Sequence, residues 1–311
     1  MGILQSSIQL GTTVTEEAVT IVSCTHHAHH IQAHKYAQTR QKHTRAGEHV
    51  DVDLEQVENA LRSMVNALKI KNCECVMSIP LSNTTFGFFE APKGTAQKQA
   101  RVLLKNHIYS RFSVPSREVC DKEWIVQRSQ TKEPERLMFG YYALERSFLD
   151  SWKAVYARAG LRLTHVAADM PSIAYMLAEH EKQESTSVAA SLKGIIEVGE
   201  RSTLCAIGDK TGLSFMETLP WSMRDAYKKN DLSGLGNTLK IVTEKISQSI
   251  IWHLLAPDEL LGALQQFFTH HLMFEVHHLK MFLEIPPRFR MSAYVKAVAA
   301  AGYPASHCFK I

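Results

Sequence analysis

Ser7-Ile8-Gln9-Leu10-Gly11-Thr12-Thr13 and Ile195-Ile196-Glu197-Val198-Gly199-Glu200-Arg201-Ser202-Thr203 are the two stretches on which the fold turns. Each is a short aliphatic or β-branched run, a polar residue, then a glycine with hydroxyl side chains, followed by a second apolar run. A β-hairpin reads this way when its turn brings backbone N–H groups close to an anion, because glycine lets the chain approach without a Cβ. The two stretches resemble each other across about half the length of the chain. Two residues before each glycine stand Gln9 in the first stretch and Glu197 in the second.

Composition bounds the rest. A chain of 311 residues, 45% hydrophobic and 21% charged, is long enough for two or three units with real cores. No apolar run has the length of a membrane span. Met1-Gly2-Ile3-Leu4 opens without a basic segment and long apolar core, so no signal peptide is expected. The Met-Gly start with Ser6 fits a myristoylation pattern by chance only. Six cysteines lie without a disulfide framework's spacing, and the Cys73/Cys75 pair has no second pair to complete a zinc site. A formal charge of +4 is too small to argue for nucleic acid. The cytoplasm fits this set best.

Outward from the first stretch, 7–11, 18–25 and 29–38 read as strands, with a turn at Gly11-Thr12-Thr13. Asp53, with Gln56 three residues on, caps a helix whose apolar positions recur at three and four through Leu54, Val57, Leu61, Met64, Val65 and Leu68. Cys75 to Pro80 is a buried strand. A second unit starts near Ser82: a strand at 84–89, a helix over 95–111, strands at 124–127 and 137–142, and a helix over 145–159 closed by Gly160. Leu161 to Val166 returns as a strand and Pro171 opens a helix. After the polar linker Glu184-Ser185-Thr186-Ser187, a meander at 194–198, 203–208 and 213–218 is expected. Helices through Leu239–Ile250, Leu260 to about Phe282, and Ser292–Ala301 follow.

This order resembles the PilM family of type IV pilus assembly proteins and, more distantly, the cytoplasmic domain of GspL secretion proteins and the cell-division protein FtsA. The residues that carry it are Leu61 to Pro80, Phe86 to Pro92 with the helix to Arg111, Val114-Pro115, Trp124 to Gln127, and above all Leu137 to Leu177 with Asp169-Met170-Pro171-Ser172-Ile173-Ala174. The resemblance implies an α/β fold of the actin-like (ribonuclease-H-type) class, in two halves with an inserted α+β subdomain. Residues 1–82 and 165–183 would form the first half, 83–164 the insert and 184–311 the second half. It also implies a cytoplasmic scaffold, peripheral at the inner membrane, in a pilus or related secretion machine. Its partner would be the cytoplasmic tail of an inner-membrane protein of the PilN type, held between the first half and the insert. Self-association stays open.

In actin-like folds, loop carboxylates hold Mg²⁺ through water, glycine and threonine groups contact phosphates, and a Gly-Gly pair passes close to adenosine. On that pattern Gly11, Thr12, Thr13, Glu197, Gly199, Ser202 and Thr203 are the phosphate-loop positions. Gln9 supplies no anionic charge to a magnesium shell. Glu197 keeps the charge on an arm longer by one bond, roughly 1.5 Å. Pro286-Pro287-Arg288 stand where the adenosine glycines are expected, removing N–H donors and locking φ. A degenerate cleft is therefore expected: no catalytic residue, no metal site, and ATP with Mg²⁺ bound weakly or not at all. Both turns can equally be read as ordinary hairpins. The alternative function is a working ATP-binding or ATP-hydrolysing member of the same machinery. A carbohydrate kinase on this fold is disfavoured, because no Asp base after a Gly-rich loop can be placed.

Sixteen histidines stand out. His26, His27, His29 and His30 are expected at a solvated hairpin tip. His270, His271, His277 and His278 are expected on one helix side, with heptad partners about 10 Å apart, too far for one ion. The aromatics Phe86, Phe88, Phe89, Phe112, Trp124 and Tyr142 are read mostly as core of the insert.

Overall fold

A computed structural model describes residues 9–15, 18–27, 31–40, 53–80, 83–126, 137–180, 192–199, 202–219, 221–222, 235–236, 250–256, 258–272, 276–277, 283 and 291–311. Three strands open the chain: β1 (Gln9–Val14), β2 (Ala18–His26) and β3 (Ile31–Arg40). Helix α1 (Leu54–Leu68) is next, capped by the Asp53 carboxylate, which accepts from the Glu55 and Gln56 amides, and burying Val57, Leu61, Met64 and Val65. Strands β4 (Glu74–Ile79) and β5 (Thr85–Glu90), helix α2 (Gln97–Tyr109), and strands β6 (Val119–Ile125) and β7 (Met138–Glu145) come after it. Helix α3 (Arg146–Arg158), strand β8 (Arg162–Ala168) and helix α4 (Asp169–His180) complete the first part.

The second part begins with β9 (Lys193–Val198), β10 (Thr203–Asp209) and β11 (Gly212–Leu219), then β12 (Ile251–Leu255) and helix α5 (Asp258–Phe267). Last come β13 (Val276–His277), helix α6 (Met291–Gly302) and a short strand, β14 (Phe309–Lys310).

The sheets repeat one plan. The first runs β14-β8-β4-β1-β2-β3 and the second β11-β10-β9-β12-β13. Counted by appearance, the five strands of each half lie in the order 3-2-1-4-5. In both, strands one to three are antiparallel neighbours and strands four and five are added parallel. Parallel additions need crossovers, which α1 and the insert with α3 supply in the first half. A third sheet, β5-β7-β6, stands apart with α2, whose Ala100, Leu104 and Ile108 pack with Phe139, Tyr141 and Ala143. Trp124 of this insert donates its indole N–H to the Leu213 carbonyl at 2.7 Å, and Lys122 donates to the Ser306 carbonyl at 2.9 Å.

Several sequence expectations change here. Helix α3 and strand β8 pack with α1 and the first sheet, so the insert's own sheet and helix lie within 85–145 rather than 83–164. The expected second unit 184–311 gives back its end: α6 lies on β1, β2 and β4, and β14 pairs with β8 in the first sheet. The helix expected from Leu260 to about Phe282 stops at Phe267, passes into a π-helical turn at Phe268–Leu272, and yields to β13. His270 and His277 therefore lie on different elements, not one helix side. The linker 184–187, residues 239–249, His29, His30, His278 and Pro286–Pro287 lie outside the described residues.

Candidate functional site

Open α/β sheets bind ligands at the carboxyl ends of their parallel strands. In this chain those ends carry the β1–β2 and β9–β10 turns, and their register can be aligned through the pairings. Val14 pairs with Val19 in the first hairpin, as Val198 pairs with Thr203 in the second. The turns close alike: the Thr15 amide donates to the Ala18 carbonyl at 2.9 Å, and the Gly199 amide to the Ser202 carbonyl at 3.0 Å. Thr15 is thus the counterpart of Gly199, and Thr13 of Glu197.

The true repeat is 13–19 against 197–203, four residues from the expected match of Gly11 with Gly199 and Gln9 with Glu197. Gly11, Thr12 and Thr13 do not form a turn. They are mid-strand, facing Val22, Ile21 and Thr20 across the ladder. Gln9 begins β1 at the opposite end from the turn. Thr12 meets the Tyr156 hydroxyl at 2.6 Å and Thr13 donates to the Ser78 carbonyl at 3.4 Å, both fully buried. Gly11 has a different reason to be glycine. An added Cβ would sit 1.8 Å from the Ala297 carbonyl oxygen and 3.0 Å from the Ala301 Cβ. It is the point at which the alanine-rich α6 touches the sheet.

The second turn holds the expected residues together: Glu197 at the end of β9, Gly199 in the bend, Ser202 and Thr203 leading into β10. The first has no glycine. Its Thr15 hydroxyl accepts from the Ala18 amide at 3.1 Å and donates to the Ala18 carbonyl at 3.2 Å, so the turn's own side chain takes an amide that a phosphate would need. Residues 16 and 17, both glutamate in sequence, come directly after Thr15.

Three charges meet beside the second turn. Asp169 begins α4 at the end of β8, Glu197 is the penultimate residue of β9, and Lys296 lies mid-way along α6. The Lys296 Nζ is 2.9 Å from Asp169 Oδ2 and 2.8 Å from Glu197 Oε1, with the side chains 6%, 2% and 17% exposed. Ser292, one turn earlier in α6, donates a short hydrogen bond to the same Glu197 oxygen. Asp169 Oδ1 accepts from the Met170 amide at 2.7 Å, at the positive end of its helix. Burial pushes the Asp169 carboxyl up, more than the Lys296 ammonium draws it down. Burial works against the Lys296 ammonium too, but the Asp169 and Glu197 carboxylates outweigh it and hold its pKa above the ordinary lysine value.

Sequence reasoning misses Lys296, although a signal exists. One cation in Met291–Gly302, a helix otherwise almost wholly apolar or small, is a burial that demands carboxylate partners. Asp169 enters the sequence reading only within a family pattern.

Among known proteins, a PilM–PilN type IV pilus biogenesis complex superposes over 95% of this chain and 98% of the matched chain, with a TM-score of 0.69 and 14% identity. The ethanolamine utilization protein EutJ from Carboxydothermus hydrogenoformans covers 97% of this chain and 92% of its own, at a TM-score of 0.50 and 11% identity. The fold is actin-like. The cytoplasmic domain of EpsL, an inner-membrane component of the Vibrio cholerae type II secretion system, matches 81% of the chain and 82% of its own, at a TM-score of 0.42 and 10% identity. No family model and no curated protein matches the sequence.

Nucleotide-binding actin-like folds use ATP with Mg²⁺, and among the described residues the two turns differ in what they offer that pair. The first turn has threonines where the second has its carboxylate and its glycine. The two carboxylates that meet beside the second turn, Asp169 and Glu197, are bound to an ammonium.

Proposed function

We propose that this chain is a scaffold of a type IV pilus or related secretion machine, holding the cytoplasmic tail of an inner-membrane partner and working without nucleotide. The full-length likeness to a chain of a PilM–PilN complex supports the machinery and the partner class. Among the described residues no helix is long and apolar enough to cross a membrane. On this reading the partner's tail is what brings the chain to the cytoplasmic side of the inner membrane. The observation that carries the nucleotide-free reading is Lys296, which holds the Asp169 and Glu197 carboxylates at 2.9 and 2.8 Å. A PilN-like tail would lie between the first half and the insert, where β5 offers an edge strand with half-buried Phe86 and Phe88.

Two measurements test this. Immobilised protein should recover a pilus or secretion component from membranes under conditions in which a PilM-type protein does, and recovery of none overturns the partner reading. Calorimetry should show no Mg²⁺-dependent ATP binding tighter than roughly 10 μM, and such binding restores the ATP-using alternative.

A further inference from the structure

We infer that Lys296 is a built-in cation that stands in for a bound metal ion, so that the closed arrangement of the two halves is carried by the chain itself. The inference rests on the nucleotide-free reading but not on the partner. Its basis is where the three charges come from. Asp169 directly follows the last parallel strand of the first sheet and starts α4, which packs on β9, β10, β11 and α6. Glu197 belongs to the second sheet. Lys296 reaches them from α6, whose body rests on β1, β2 and β4 of the first. One ammonium therefore ties both halves through three elements.

The surroundings are those of an ion site rather than of a surface salt bridge. Two carboxylates from separate elements converge on one point at 2.9 and 2.8 Å, with a serine hydroxyl on the same Glu197 oxygen and a helix amide on the far Asp169 oxygen. Two carboxylates and a hydroxyl are hard oxygen ligands, the set that Mg²⁺ or Mn²⁺ takes with water filling the remaining positions. Lysine supplies a compact charge at the end of a flexible arm. Gly11 fixes the depth of that arm, since α6 can lie this close to β1 only where there is no Cβ.

The prediction is that the site becomes a cation site once the ammonium is removed. Lys296→Ala deletes three carbons and the nitrogen, leaving paired carboxylates and a void that n-propylammonium matches. The wild-type melting temperature should be unchanged by millimolar Mg²⁺, Mn²⁺ or n-propylammonium. That of Lys296→Ala should fall by about 5–10 °C and recover at least half of the loss with one of these cations, but not with an equal concentration of K⁺. Lys296→Met/Glu197→Gln removes one charge of each sign and serves if the alanine variant does not fold. It should fold with a smaller loss and show no cation response. No recovery of Lys296→Ala by any of the cations overturns the inference, as does a double variant that melts as low as Lys296→Met alone. Mg²⁺ with ATP stabilising the wild type would instead overturn the nucleotide-free reading, and that outcome is distinct.

Discussion

The two hairpins at 13–19 and 197–203 share topology, register and turn-closing hydrogen bond, yet they have different chemistry. The second keeps a glycine in the bend and a carboxylate two residues earlier. The first has Thr15 and Thr13 in those places, and Thr15 commits its hydroxyl to its own turn. The strand order of a half is held by many small terms, ladder bonds and buried β-branched side chains, so it tolerates the loss of any one residue. A ligand loop depends on two or three groups and disappears with them. The carboxylate that survives has changed its partner. Glu197 is met not by a ligand from outside but by Lys296, from the helix that lies on the other half.

The largest effect should come from the contact that makes this possible. Gly11→Val places a Cβ 1.8 Å from the Ala297 carbonyl oxygen, a backbone atom that can move only by shifting the whole of α6. Overpacking usually costs about 1–3 kcal/mol, and a clash with backbone exceeds that, so a loss above roughly 4 kcal/mol or failure to fold is expected. Gly199→Ala is its partner in the comparison. There, among the described residues, the added Cβ meets only the Ser202 carbonyl oxygen, at 2.9 Å, and about 1–2 kcal/mol is expected. Denaturant titration of both variants checks this. Equal losses would mean that Gly11 has no special role.

The same two glycines mark how far the sequence is legible. The strand order is readable, because β2 and the meander after Gly199 are β-branched or aliphatic runs bounded by turn residues, and α1 announces itself through the Asp53 cap and its apolar spacing. The register of the first hairpin is not. Glycine more often marks a turn than a helix contact, whereas Gly11 admits a helix, and the real turn contains no glycine to mark it. The placement of 291–311 escapes for a tertiary reason: nothing local tells an alanine-rich helix which of two similar sheets it will cover. α5 ends early for a local one, since the apolar spacing through Leu260, Leu261, Leu264 and Phe268 gives way to Thr269-His270-His271. Lys296 is legible in kind, as a charge that must be buried with partners, but not in place.

Next in size is the alkaline response of the ion cluster. Lys296 has a folded-state pKa above its unfolded value, so the folded state holds this proton more tightly. Its contribution is fully present below about pH 10.5, the unfolded lysine value, and is lost as pH rises through the higher folded value. Asp169, with its folded pKa raised, acts in the same direction at lower pH: its relative stabilisation declines as pH rises through the carboxylate range. A buried pair broken on one side costs roughly 3–5 kcal/mol, which sets the scale of the effect. Wild-type stability measured from about pH 9 to 11.5, spanning the unfolded lysine value, should fall more steeply than that of Lys296→Met, which has no proton to lose there. Parallel curves would sink this account of α6.

The smallest expected effect probes the first turn. Thr15→Val keeps shape and β-branching but removes the oxygen that accepts the Ala18 amide at 3.1 Å and donates to its carbonyl at 3.2 Å. The turn still has the Thr15 amide on the Ala18 carbonyl, so the hairpin stays closed. What is lost is one part-buried side-chain link, worth about 1 kcal/mol, or a melting shift of a few degrees at this size. A bulk measurement can miss that, so the sharper readout is hydrogen exchange at Ala18. Its amide should be protected in the wild type and exchange several-fold faster in the valine variant. The Ser202 amide, the counterpart of Ala18 in a turn where Gly199 takes the place of Thr15, should be unaffected by the change. If Ala18 exchanges alike in both proteins, the first turn has not satisfied its own donor, and the reason given for its inability to hold a phosphate falls.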